Sequence, residues 1–98
     1  MPAAARKGDQ GIPHCSGYTI SAGSGDVFIN GIAAARQGDS STPHLKPGPG
    51  KPPCSTHSAS ISRGSSTVFV NGIALARVGD PLSGCTAVAQ GSPDVFAG

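Results

Sequence analysis

Three residues able to bind a transition metal stand at one fixed offset in this chain. His14 lies five residues after Asp9, His44 five after Asp39 and Cys85 five after Asp80, each counted from a Gly-Asp dipeptide. Imidazole and thiolate are the ligands of a borderline-soft cation, and three of them leave one position of a tetrahedron to fill. His57 is the obvious fourth. It lies in the one long insertion, since the Gly-Asp dipeptides are 30 residues apart between Asp9 and Asp39 but 41 apart between Asp39 and Asp80. The extra loop, Leu45 to Thr56, can carry His57 back over the other three. Cys54 competes for that place, because Cys54 and His57 have ordinary zinc spacing, and Cys15 is the other cysteine near a ligand. A His3Cys set with every position filled by protein is structural, as catalytic zinc ordinarily keeps one position open for water. The expected cofactor is therefore one structural zinc ion held by His14, His44, His57 and Cys85. Its ligands must be deprotonated to bind, so acid should release it.

An equal offset means equal position only if the surrounding segments are repeats, and they are. Gly23 to Asp39 reads GSGDVFINGIAAARQGD, and Gly64 to Asp80 reads GSSTVFVNGIALARVGD. Gly91 to Phe96 begins a third copy, and Pro2 to Asp9 supplies the latter part of one. The whole chain, 1–98, reads as a single domain with units at about 10–39, 40–80, and 81–98 completed by 1–9. Each full copy holds two β-rich runs joined by Asn-Gly, a dipeptide that tolerates the positive φ of a type I′ turn. Hairpins are predicted over 26–29/32–36 and 67–70/73–77. A third is expected from Asp94–Ala97 beside Ala3–Lys7, which sets the termini side by side. The alanine runs favour helix by propensity, but five residues between Asn-Gly and Gly-Asp cannot sustain one. As strands they place Ile32, Ala34 and Arg36 on one face and Ala33 and Ala35 on the other, small enough to crowd an axis. The predicted fold class is all-β: a pseudo-three-fold arrangement of hairpins closed into a ring, with no sheet edge left open.

Composition fits a stapled fold. The 98 residues include 15 glycines and 9 prolines, three Phe, one Tyr and no Trp. Such a chain buries little surface for its length and needs a clamp. A charged fraction of 12% and a net charge of +2 argue against a self-repelling coil. Arg6-Lys7 is too short a basic cluster for a nucleic-acid footprint, so no nucleic-acid partner is expected. No apolar run approaches the roughly 20 residues that span a bilayer, and the N-terminus lacks the basic and apolar regions of a signal peptide. Synthesis in the cytoplasm is the expectation.

Enzymatic chemistry finds little purchase. There is no Gly-x-Ser-x-Gly elbow and no Walker ending to the Gly-rich stretches. Asp9, Asp39 and Asp80 follow glycines at turns, where a carboxylate ordinarily bonds nearby backbone. Arg6, Arg36 and Arg77, each three residues earlier, are expected to make ion pairs or rim contacts worth little apiece. The chain is read as a non-enzyme.

Ala4-Ala5-Arg6-Lys7-Gly8-Asp9, Asn30-Gly31-Ile32-Ala33-Ala34-Ala35-Arg36-Gln37-Gly38-Asp39 and Asn71-Gly72-Ile73-Ala74-Leu75-Ala76-Arg77-Val78-Gly79-Asp80 resemble the repeats of PAAR proteins. Ala3, Ala33 and Ala74 stand where that family often has Pro, and Leu75 replaces an Ala. The resemblance covers nearly the whole chain. It implies a small cone whose broad base sits on the blunt end of a trimeric spike, the VgrG protein of bacterial type VI secretion, with zinc near the apex at His14, His44, Cys85 and His57. It further implies one PAAR chain per trimer, a monomer when alone, export with the spike to the extracellular space or target cell, and contact with a membrane only during puncture. Effector proteins are further candidate partners, expected as separate chains because the third repeat is cut short. Two other readings share the same residues: a free-standing zinc-binding interaction module, and a small zinc hydrolase.

Overall fold

Asn-Gly and Gly-Asp set the local geometry. In the computed structural model, which describes residues 1–13, 16–47 and 54–98, with 46, 47, 54 and 55 as backbone, strands β1 (Phe28–Ile29) and β2 (Ile32–Ala33) pair antiparallel. Ile29 faces Ile32, so the connection is the two residues Asn30 and Gly31, at φ 56° and 75°. Both values are positive, as a type I′ turn requires. β3 (His44–Pro47) pairs with β4 (Cys54–His57), and β5 (Phe69–Val70) with β6 (Ile73–Ala74) through an identical turn at Asn71 and Gly72. The third unit closes as expected. Ala3 bridges Phe96, Ala4 N–H donates to Val95 O at 2.9 Å and Ala97 N–H to Pro2 O at 2.9 Å, which places the termini side by side. No helix occurs among the described residues, and so none is long and apolar enough to cross a membrane.

The regular strands are shorter than the predicted hairpins because each leaves its partner to join the other two units. Ala5 N–H donates to Ala76 O, Ala76 N–H to Ala35 O and Ala35 N–H to Ala5 O, at 2.9, 3.0 and 3.0 Å. This is a closed triangle of backbone hydrogen bonds about the pseudo-three-fold axis. Next to it, Lys7, Gln37 and Val78 donate to the carbonyls of Ala33, Ala74 and Ala3. Only small side chains fit where three backbones approach this closely. The predicted alternation survives in altered form. Ala4, Ala34 and Leu75 turn to one side of the triangle, against Ile29, Val70 and Ala97. Ala5, Ala35 and Ala76 turn to the other, against Tyr18, Ile20, Ala59, Ile61, Leu82 and Val88. The alanine layer is a septum between two small cores, stacked along a molecule 41 Å long and 23 × 21 Å across. With hairpins at one end and the candidate metal ligands at the other, the architecture is the small all-β cone predicted.

The Gly-Asp turns are built alike three times. Arg6, Arg36 and Arg77 carbonyls accept the N–H of Asp9, Asp39 and Asp80 at 3.0 Å, with Gly8, Gly38 and Gly79 at φ 91°, 93° and 94°. Positive φ at the third residue is the type II signature and needs glycine. The aspartates do bond backbone, each accepting its arginine's N–H at 2.8 Å. The expected Arg-Asp ion pairs form, but they are more buried than rim contacts. Each guanidinium meets its carboxylate in a two-pronged bond, and the aspartate side chains are only 5%, 9% and 3% exposed. The Nη2 that bonds each aspartate also donates to the Gly91, Gly23 or Gly64 carbonyl. Bonding to the aspartate pushes each arginine pKa further up. These pairs pin the turn of each unit to its own Gly-Ser segment.

A second polar ring ties one unit to the next. Asn71 donates to Asp26 at 2.8 Å and accepts from Ser24 at 2.7 Å, while Asn30 donates to Asp94 at 2.8 Å and accepts from Ser92 at 2.6 Å. In the third place the Gly98 carbonyl accepts from Ser65 and Thr67. Asp26 and Asp94 are thereby held below the usual carboxylate pKa, chiefly by Asn71 and Asn30 and then by Ser24 and Ser92. The asparagines of the turns thus have a second task that the hairpin signal did not reveal.

Candidate metal centre

Beyond the upper core the three units continue as legs. Gly11 N–H donates to Tyr18 O, Ser41 to Ala59 O and Leu82 to Thr86 O, and each pair is bridged by a different length of chain. The shortest is a tight turn in which Cys85 N–H donates to Leu82 O at 3.0 Å, with Gly84 at φ 65°. It presents the Cys85 thiol against the upper core. In the longest, the described ends of the expected loop, 45–47 and 54–56, are paired strands. β3 and β4 pair with His44 directly opposite His57, Leu45 opposite Thr56 and Pro47 opposite Cys54. Strand register therefore places His57: no symmetry relates it to the other ligands, but a cross-strand partner sits about 5 Å away by construction. That pairing corrects the loop reading and supplies the physical reason His57 meets His44.

His44, His57 and Cys85 offer ligand atoms all within 4.8 Å of one another. His44 Nε2 is 2.8 Å from His57 Nε2 and 3.3 Å from Cys85 Sγ. Edges of a zinc tetrahedron with such ligands run roughly 3.3–3.7 Å, so small side-chain shifts would admit the ion. The tautomer is right for it. His44 Nδ1 lies 2.9 Å from the Thr42 carbonyl, which can only accept, so Nδ1 carries the proton and Nε2 keeps its lone pair for the centre. The donor set of two imidazoles and a thiol fits a bound zinc-like metal. His14 and Cys15 lie outside the described residues. Ser16, just after them, accepts the N–H of Leu45 at 2.9 Å. Cys54 is described only as backbone, opening β4.

One contributor has no ligand atom. The Tyr18 ring stacks on His44 with centroids 4.1 Å apart and planes at 19°, and His57 meets His44 edge-on at 4.3 Å. Thr86 Oγ donates to Ile12 O, so the Tyr18 hydroxyl is the donor to Thr86, at 2.9 Å. Burial pushes the Tyr18 pKa up to about 12, against the pull of the Thr86 bond and with Cys85 adding to the rise. Sequence reasoning passed over Tyr18; its being the one tyrosine, in a chain without tryptophan, was the available signal. A hollow beside it is lined by Gln10, Gly11, Pro13, Gly17, Thr19 and Thr42 as well, with Tyr18 as its one titratable side chain.

The other end of the cone is apolar and exposed. Phe28, Phe69 and Phe96 occupy one repeat position and are 58%, 57% and 51% exposed, with Ile32 and Ile73 beside β1 and β5.

Comparison with known families agrees with this geometry. The family model for the PAAR motif matches residues 51–98, which contain β4 to β6, His57 and Cys85. No curated protein matches the chain. Residues 1–50 lie outside the match but repeat its pattern from Gly23 to Asp39 and join the same alanine triangle. Over residues 51–98 this chain is thus similar to the PAAR-motif family, and the rest of its sequence shares the repeat.

Proposed function

We propose that this protein is the structural tip of a type VI secretion spike, a zinc-stabilised cone that caps the trimeric VgrG β-helix and sharpens it for puncture. The observation that carries the reading is the base. Three phenylalanines at one repeat position, more than half exposed, form a pseudo-three-fold apolar face that a true three-fold trimer can match. The PAAR match supports the same assignment. One chain serves one trimer. At the apex, His14, His44, His57 and Cys85 hold one zinc, whose chemistry is to fix four ligands from separate segments and so clamp a thin-cored fold. With all four positions filled by protein, no site remains for an activated water, and the role is mechanical. Export follows the spike.

The test is complex formation with purified trimeric VgrG, followed by mass measurement. One chain per trimer is expected, lost in Phe28→Asp/Phe69→Asp. A chain that binds no trimer, with or without that double substitution, would support the free-standing zinc module instead.

A further inference from the structure

At the level where the legs begin, the three units are not alike. Their facing pairs are Gly11 with Tyr18, Ser41 with Ala59, and Leu82 with Thr86, and Tyr18 alone is aromatic. The ring owes its place to the missing side chain opposite. A Cβ on Gly11 would lie 2.0 Å from Tyr18 Cζ and 2.2 Å from its Cε2, closer than real atoms approach. From that seat against Gly11 the ring crosses to stack on His44, a ligand of the second unit. Its hydroxyl donates to Thr86, the residue after Cys85, a ligand of the third. Thr86 in turn donates to Ile12, back in the first unit. One side chain therefore touches the platform of two ligands that belong to neither its own unit nor each other's.

We propose that Tyr18 is the positioning residue of the metal centre, a buttress from the first unit that fixes the His44 ring and the Cys85 turn and thereby sets how slowly the metal leaves. The inference rests on the zinc reading above. Thr42 fixes the His44 tautomer and one edge of its ring; Tyr18 fixes the plane. Gly11 is part of the same device, since it makes the space.

The zinc-loaded full chain, mixed with an excess of a chromogenic chelator, gives the release rate, and cobalt loaded in place of zinc reports coordination through its visible absorption. Tyr18→Leu, which abolishes the stack, should release zinc about 10–100-fold faster with an altered cobalt spectrum, as outer-shell partners of metal ligands do when removed. Gly11→Ala should do the same with the tyrosine still present. Tyr18→Phe keeps the stack and loses one hydrogen bond, so about fivefold is expected. Because Tyr18 is the one tyrosine and tryptophan is absent, its near-ultraviolet absorption in the unaltered protein should shift when zinc is added. A Tyr18→Leu protein that holds zinc as long as the parent, with the same cobalt spectrum, overturns the proposal; so does an unaltered protein whose tyrosine absorption ignores zinc. A parent chain that takes up no zinc overturns the metal reading itself.

Discussion

Replacing Arg77 by Met should cost this fold far more than the loss of a surface ion pair. Arg77 gives Asp80 two hydrogen bonds, Nε to Oδ2 at 3.0 Å and Nη2 to Oδ1 at 2.9 Å, and Asp80 is 3% exposed. Methionine fills much of the same volume but leaves that carboxylate with the backbone N–H of residue 77 as its remaining hydrogen-bond donor of the three. An exposed pair contributes about 0–1 kcal/mol, whereas orphaning a buried charge costs about 3–5 kcal/mol. The second range applies, against a total stability of about 5–15 kcal/mol for a domain. A loss of about 3 kcal/mol would lower Tm by roughly 12–24 °C at this chain length. Urea unfolding followed by far-ultraviolet circular dichroism measures it, with free zinc held constant so that metal linkage does not enter. The sign of the coupling is the sharper check. Adding Asp80→Ala removes the orphaned charge and leaves one unpaired N–H, a cost of about 1–3 kcal/mol, so the double variant should be more stable than Arg77→Met alone. A single-variant loss below about 1 kcal/mol, or a double variant less stable than the single, would refute the buried-pair argument.

Three other outcomes are expected. Asn71→Ala should raise the Asp26 pKa toward its ordinary value while leaving Asp94 low, as read by carboxyl NMR titration. Because both folded-state values are depressed, these carboxylates stabilise the fold above the ordinary carboxylate pKa, and that contribution is lost as pH falls through the folded values; Asn71→Ala should narrow the window at Asp26. Gly64→Ala puts a Cβ 2.7 Å from Leu75 O and 2.9 Å from Ala74 Cβ, and should cost about 1–3 kcal/mol in the same unfolding assay, whereas Gly25→Ala meets nothing within 4 Å and should leave the midpoint unchanged or slightly raised. Chelation should lower the urea midpoint of the parent chain but not that of Cys85→Ala; with free zinc at 100 times its Kd, the parent would lose about 2.7 kcal/mol.

The repeat made the ring legible before any coordinates. Asn30-Gly31 and Asn71-Gly72 specify a turn by local chemistry alone, and the split third copy required Ala3 to lie near Phe96. The offset of His44 and Cys85 was equally local, and their approach across the axis follows from the repeat. What the sequence concealed depends on partners distant in the chain. Arg36 and Asp39 look like a surface pair at i,i+3, and only the folded unit, in which Arg36 also donates to the Gly23 carbonyl, leaves the Asp39 side chain 9% exposed. Nothing near His57 announces that it faces His44, because register across β3 and β4 is decided by the hairpin as a whole. Tyr18 was passed over, since its significance lies in the missing side chain at Gly11 and in a histidine of another unit.

The alanine triangle carries a consequence for the order of events during synthesis. Each of its three carbonyls is satisfied by a different segment, around residues 5, 35 and 76, and the third unit is finished by pairing residues 2–4 with 95–97. A nascent chain can form the β1–β2 turn as soon as it emerges, but the septum waits for Ala76 to reach Ala5 and Ala35, and the third unit for Ala97 to reach Pro2. Such long-range closure is slow compared with a hairpin, because its entropy must be lost before its contacts form. Until then Ala5 N–H awaits Ala76, and the first repeat has no septum beneath it. The contacts that close the fold therefore come late, after both ends of the chain are available.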